Sequence, residues 1–177
     1  PLFYDRYTIP DYLVKRGFTE DFLREWEIGY DLADNAAVIP ITNKSGELVA
    51  TIKRLFEPLE DQPKYLYPYG WDKSKTLFAI VKVQGASFWV TEGPLDALKI
   101  WQAGFEAVAL MGAFASEEQI QILRNKAWSL TIALDLDNAG VAGLERLLEK
   151  LAGIRLFVVE YPERFNDKGE WVSDIGD

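Results

Sequence analysis

The chain contains no cysteine and no histidine among its 177 residues. Without cysteine it forms no disulfide and no thiolate zinc site. Without histidine it has no Ser–His or Cys–His catalytic pair and no imidazole metal ligand. Any metal must be held by oxygen, which selects Mg²⁺, Mn²⁺ or Ca²⁺. Positive charge is also short. Nineteen Lys and Arg stand against 28 Asp and Glu, for a net charge of −9, so long-range attraction of nucleic acid or an anionic membrane is opposed. The longest apolar run, Ala107 to Ala115, is about half of what a membrane span needs. The first residues are polar and aromatic, unlike a secretory leader.

What remains is ordinary soluble material, with 49% hydrophobic and 27% charged residues. The length suits one domain, or one with a small appendage. The chain opens at Pro1 and stops at Asp177 in a polar stretch, and is expected to be a piece excised from a longer protein.

Its character changes near residue 80, which sets two expected domains, 1–80 and 81–177. The first holds short elements. Residues 10–16 read as a short helix closed by Gly17, and Thr19 as the cap of a second helix over 20–26, with Glu20 and Asp21 at its positive end. Residues 37–41 and 48–52 are β-rich and flank the turn 43–46, so a hairpin is expected. Residues 57–75, rich in Pro, Tyr and Lys, read as an ordered loop. The second half alternates. Strands are expected at 88–91, 107–110, 130–134 and 155–159. Helices are expected at 94–102, opening on Pro94, at 116–123, opening on a Ser116/Gln119 capping box, and at 139–151, with Leu144, Leu147, Leu148 and Leu151 on one stripe. Such alternation of short apolar strands and helices gives a parallel sheet covered on both faces.

Ligands bind outside the carboxyl ends of the strands of such sheets. Here Glu92-Gly93 follows the first strand and Asp135-Leu136-Asp137 the third. If the strands are neighbours, they run about 5 Å apart, and their carboxylates can share a metal. Gly93 is expected to allow a sharp turn, and Gly140 close approach in the first turn of a helix. Taken alone, a D-x-D at a strand end is more often a turn or a helix cap. Three acids at one sheet edge are costly unless a cation neutralises them.

These segments resemble the Toprim family, shared by DnaG-type primases, type IA and II topoisomerases, OLD-type nucleases and recombination proteins. Its hallmarks are Glu-Gly after the first strand and D-x-D after the third. Glu92-Gly93-Pro94-Leu95-Asp96 is similar to the primase E-G-x-x-D, and Asp135-Leu136-Asp137-Asn138-Ala139-Gly140 to its D-x-D-x-A-G. Met111-Gly112-Ala113 stands where primases have Leu-Gly-Thr. The first half resembles the subdomain that precedes Toprim in bacterial and phage primases. Its Y-L-x-x-R-G is matched by Tyr12 to Gly17, its G-Y by Gly29-Tyr30, its basic hairpin end by Lys53-Arg54, and its P-K-Y-L-N by Pro63 to Leu66, with Tyr67 in place of Asn.

The resemblance implies an α/β fold. A Toprim sheet of about four parallel strands is flanked by helices and preceded by a small α+β subdomain with a hairpin. It implies metal-dependent, template-directed synthesis of RNA primers from nucleoside triphosphates on single-stranded DNA during replication. Glu92, Asp135 and Asp137 are its catalytic residues, and these with Asp174 hold Mg²⁺ or Mn²⁺, two ions being expected. Asp177 fits a further family acid less well. Glu92 is either a ligand or the proton acceptor. Gly93, Asp96 and Gly140 support the site. Arg54, Lys64 and Tyr65 are expected to contact template or nucleotide, whereas Lys53, Lys73 and Lys75 read as solvated surface. Tyr67, Tyr69 and Trp71 either stack on bases or pack their loop. A zinc-binding domain and a replicative helicase are expected to act through flanking regions, with no zinc and no membrane contact in this piece and a cytoplasmic setting. A Toprim nuclease and a non-enzymatic Toprim scaffold that binds nucleotides or a partner are the competing readings.

Overall fold

Pro10, with φ −68°, leads into helix α1 (Asp11–Lys15). Gly17, at φ +83°, turns the chain toward Thr19, whose hydroxyl accepts the Phe22 N–H and caps α2 (Glu20–Glu25). Strands β1 (Gly29–Asp31), β2 (Ala36–Thr42), β3 (Leu48–Leu55) and β4 (Tyr65–Leu66) then form an antiparallel sheet in chain order. The expected hairpin is β2–β3. Its turn is held by Asn43 Oδ1, which accepts the N–H groups of Ser45 and Glu47, and by Gly46 at φ +80°. Strands β1 and β4 are too short to show an alternating pattern, and β4 lies inside the stretch read as loop. Leu13, Leu23, Ile28, Ile39 and Ile52 are fully buried here. The computed structural model describes residues 5–43, 45–59 and 61–161.

A second compact unit begins at Asp72, earlier than the change in composition near residue 80. The reason is local. Ser116 Oγ donates to the Ser74 carbonyl, and Gln119 Nε2 donates to those of Thr76 and Leu110. Phe78 and Ala109 form an antiparallel backbone bridge. Residues 72–80 are therefore fastened to the second sheet. That sheet holds β5 (Ser87–Thr91), β6 (Ala107–Ala109), β7 (Ser129–Ala133) and β8 (Arg155–Val158), separated by α3 (Pro94–Gln102), α4 (Glu117–Lys126) and α5 (Asn138–Lys150). All pairings are parallel, in the order β6-β5-β7-β8. Phe88, Val90, Val108, Leu130 and Ile132 from the strands pack with Ile120, Leu123 and Leu147 from α4 and α5 and with Leu151, the C-cap of α5. The expected capping box is formed by Ser116 and Gln119. Among the described residues no helix is long and apolar enough to cross a membrane.

Candidate active site

The strand order places the site. From β5 the chain crosses to β6 on one side, then returns past β5 to β7 on the other. The carboxyl end of the sheet between β5 and β7 is thus a topological switch point, where α/β sheets bind ligands. The ladder pairs Thr91 with Ala133. One residue further on β5 comes Glu92, and two further on β7 comes Asp135. Both carboxylates are half-buried, and Glu92 Oε2 is removed from solvent altogether.

Backbone bonds bind the neighbouring loop to this point. Leu110 N–H donates to the Thr91 carbonyl and Met111 N–H to that of Glu92, at 3.0 and 2.9 Å. Met111 is buried and holds φ +63°, a left-handed conformation that costs a non-glycine residue roughly 1–2 kcal/mol. Its carbonyl accepts Lys73 Nζ at 2.6 Å. Lys73 therefore stands at the sheet edge that carries Glu92. No spacing rule could have found it, since it lies 38 residues from its acceptor.

Asp137 serves in part as the structural alternative described. It is the N-cap of α5, and its Oδ1 accepts the Gly140 N–H at 2.8 Å. That leaves a second carboxylate oxygen on an exposed side chain. Gly140 makes the close approach expected of it: a Cβ there would overlap the Asp135 carbonyl, and one at Gly143 would overlap the Ala113 carbonyl. The first two turns of α5 are thus seated on the backbones of both active-edge loops. Gly93 behaves otherwise than expected. It has φ −101° and ψ 151° as the N-cap of α3, an extended geometry open to any residue, so the turn does not depend on glycine there. Thr91 Oγ1 closes the turn by donating to the Gly93 carbonyl at 3.0 Å. Asp96 lies in the first turn of α3, where the helix dipole favours a carboxylate.

Among the described residues no group of three acidic side chains is close enough to hold a metal ion. Glu92 and Asp135 are the pair on adjacent strands, Asp137 is drawn toward its cap, and Asp174 and Asp177 lie outside the described residues. A donor set made only of carboxylates suits a hard divalent ion.

Arg54 and Tyr65 are brought together in the first unit. They face each other across β3 and β4, with the guanidinium 5.4 Å from the ring centroid. Arg54 is buried and donates to the Leu55 carbonyl, while Lys64 is exposed. Lys53 is no solvated surface residue: its Nζ lies 2.6 Å from both Asp31 and Asp34. Its hydrogen bond holds the Asp31 carboxyl below the usual range, and the same bond, with that of Asp34, raises Lys53.

Residues 89–172 match the family model described as Toprim-like. The DNA primase of Enterococcus faecalis is 31% identical over 155 residues, which cover 78% of this chain and 24% of the relative. A DNA primase domain from Pseudomonas aeruginosa superposes with TM-score 0.77 at 22% identity, covering 98% of this chain and 70% of that one. A DnaG primase catalytic domain bound to single-stranded DNA gives 0.76 at 21% identity, over 98% and 69%. The chain therefore has the fold of a DnaG-type catalytic core along nearly its whole length. It spans 24% to 37% of the curated primases that lead its matches.

Proposed function

We propose that the chain is the catalytic core of a DNA primase and joins nucleoside triphosphates into RNA primers on single-stranded DNA. The observation that carries this is the placing of Glu92 and Asp135 at the switch point of a DnaG-type fold. In the reaction a ribose 3′-hydroxyl attacks an α-phosphorus, a P–O bond forms, and pyrophosphate leaves with the electron pair of the broken bond. Such transfer depends on positioning and on charge neutralisation more than on covalent help.

Glu92 and Asp135 are the pair that would first hold Mg²⁺ or Mn²⁺, and the second oxygen of Asp137, together with Asp174, would have to move up to complete the set. When bound, two such ions supply Lewis-acid stabilisation of the attacking and leaving oxygens. Glu92, half out of water, is suited either to that ligation or to accepting the hydroxyl proton. Lys73, fixed by the Met111 carbonyl, places a cation at the sheet edge that carries Glu92 and is suited to the triphosphate. Lys64 offers an exposed charge to a template phosphate, and the half-buried Tyr65, backed by the Arg54 guanidinium, offers a ring to a base. A zinc-binding module and a helicase would act through other parts of the longer protein, in the cytoplasm of a bacterium or a phage-infected cell.

The test is primer synthesis on a single-stranded template with Mg²⁺ or Mn²⁺. Glu92→Gln and Asp135→Asn should each abolish it. Full synthesis by either variant would end the proposal. Degradation of labelled strands without nucleotides would favour a nuclease instead.

A further inference from the structure

A cleft of about 200 Å³ opens beside α4 and α5, lined by Phe114, Ala115, Glu117, Arg146, Leu147 and Lys150 among others. It adjoins the active edge through its own walls. Phe114 and Ala115 continue the Met111–Ala113 loop, and α5 starts from the Asp137 cap. Arg146 lies nine residues along that helix, about 14 Å away at 1.5 Å per residue.

The charges inside the cleft differ from those of the chain. Lys150 Nζ is 2.5 Å from Glu117, so these two cancel. The Arg146 guanidinium instead lies over the Phe114 ring, 5.4 Å from its centroid, and no carboxylate lies within ion-pair distance of it among the described residues. The cleft is thus locally positive in a chain of net charge −9. A guanidinium that rests over an aromatic ring rather than in an ion pair keeps N–H groups available for a bidentate grip on phosphate. The volume is below the roughly 300 Å³ at which pockets for whole small-molecule ligands begin. It suits one phosphate group rather than a complete triphosphate.

We propose that Arg146, set by Phe114, grips one backbone phosphate of a nucleic-acid strand that runs on from the active edge. At about 3.4 Å per helical nucleotide, 14 Å places this contact roughly four nucleotides from the reacting bond. The strand is template or product, since both present the same phosphodiester. The inference rests on the nucleic-acid reading of the domain, but its test is binding and needs no synthesis.

Affinity for a labelled dT oligomer and for a short RNA–DNA hybrid would be measured against salt, in the unaltered chain and in Arg146→Ala and Arg146→Lys. Arg146 is exposed, so both variants should fold, which an unchanged melting temperature verifies. Arg146→Ala should weaken binding about tenfold, as expected for one charge-assisted contact, and lower the salt slope by about 0.7 for a single strand. Arg146→Lys should keep the slope and recover part of the affinity. Loss with the single strand assigns the contact to template, and loss with the hybrid alone assigns it to product; either supports the proposal. Unchanged affinity and slope on both probes would overturn it. So would an equal loss of ATP binding, which would make the cleft a nucleotide site. Failure of the unaltered chain to bind either probe would also overturn it, while primer synthesis by that chain would still uphold the enzyme reading.

Discussion

Both units pair ions, but they differ in where they leave carboxylates. The antiparallel unit settles its ionic groups against one another: Lys53 bridges Asp31 and Asp34, Arg24 pairs with Glu20, and Arg54 lies on Tyr65. The parallel unit collects carboxylates at one end of its sheet, with Glu92 and Asp135 on adjacent strands and Asp137 one turn below Gly140. The cause is topological. Antiparallel strands alternate direction and scatter their ends, whereas parallel strands deliver all their carboxyl ends to one edge. The first arrangement favours stability of the unit itself, and the second brings like charges toward one edge, a cost that a cation would relieve.

The strongest way to break that comparison is to remove acid from each unit. Asp135→Asn with Asp137→Asn should reduce metal-dependent synthesis on the order of 10³-fold, the scale of several kcal/mol of charge stabilisation. It should leave the second unit as stable or more so, because repulsion falls and Asn caps α5 as well as Asp. Unchanged synthesis, or collapse of the fold, would deny that these acids serve function over structure.

Gly143→Ala should act through structure. The added methyl meets the Ala113 backbone, which cannot yield as a flexible side chain does, so a loss of about 3 kcal/mol is expected. Denaturant unfolding followed by tryptophan fluorescence would measure it. A loss below about 0.5 kcal/mol would show that α5 is not seated as described.

In the first unit, Asp31→Ala should cost about 2 kcal/mol, by leaving Lys53 with one partner and two turn N–H groups without their acceptor. The pH dependence follows from the depressed carboxyl of Asp31. Its contribution is complete above the unfolded value near 4 and is lost as pH falls through the lower folded value. The raised ammonium of Lys53 works at the other end. Its contribution is complete below about 10.4 and is lost as pH rises through the higher folded value. Melting temperatures from pH 2 to 7 should show an acid loss that Asp31→Ala diminishes. An identical profile in the variant would place the acid sensitivity elsewhere.

Much of the second unit was legible because its signals are local. The buried strands are short apolar runs, and Pro94, Ser116 with Gln119, and Gly153 mark helix ends, so the elements fall within one to three residues of expectation. Of the candidate site, the sequence pattern located Glu92, Asp135 and Gly140, each next to a strand or helix end. Long-range facts were not legible. Neither the hold of Lys73 on Met111, nor the burial of Arg54 on Tyr65, nor the double pairing of Lys53 has any spacing signature, because each partner comes from a different element or loop of the chain. The extended geometry of Gly93 was illegible for a related reason: a glycine at a turn does not reveal its φ. Of the two roles that spacing presents as alternatives for Asp137, the structural one is visible: its Oδ1 caps α5 at Gly140.

The central claim is that the edge between β5 and β7 is a divalent-metal site. Crystals soaked in Mn²⁺ test it most directly through the anomalous signal. The account predicts a peak within coordination distance of Glu92 and Asp135. Soaks with peaks only elsewhere, or with none, would contradict it.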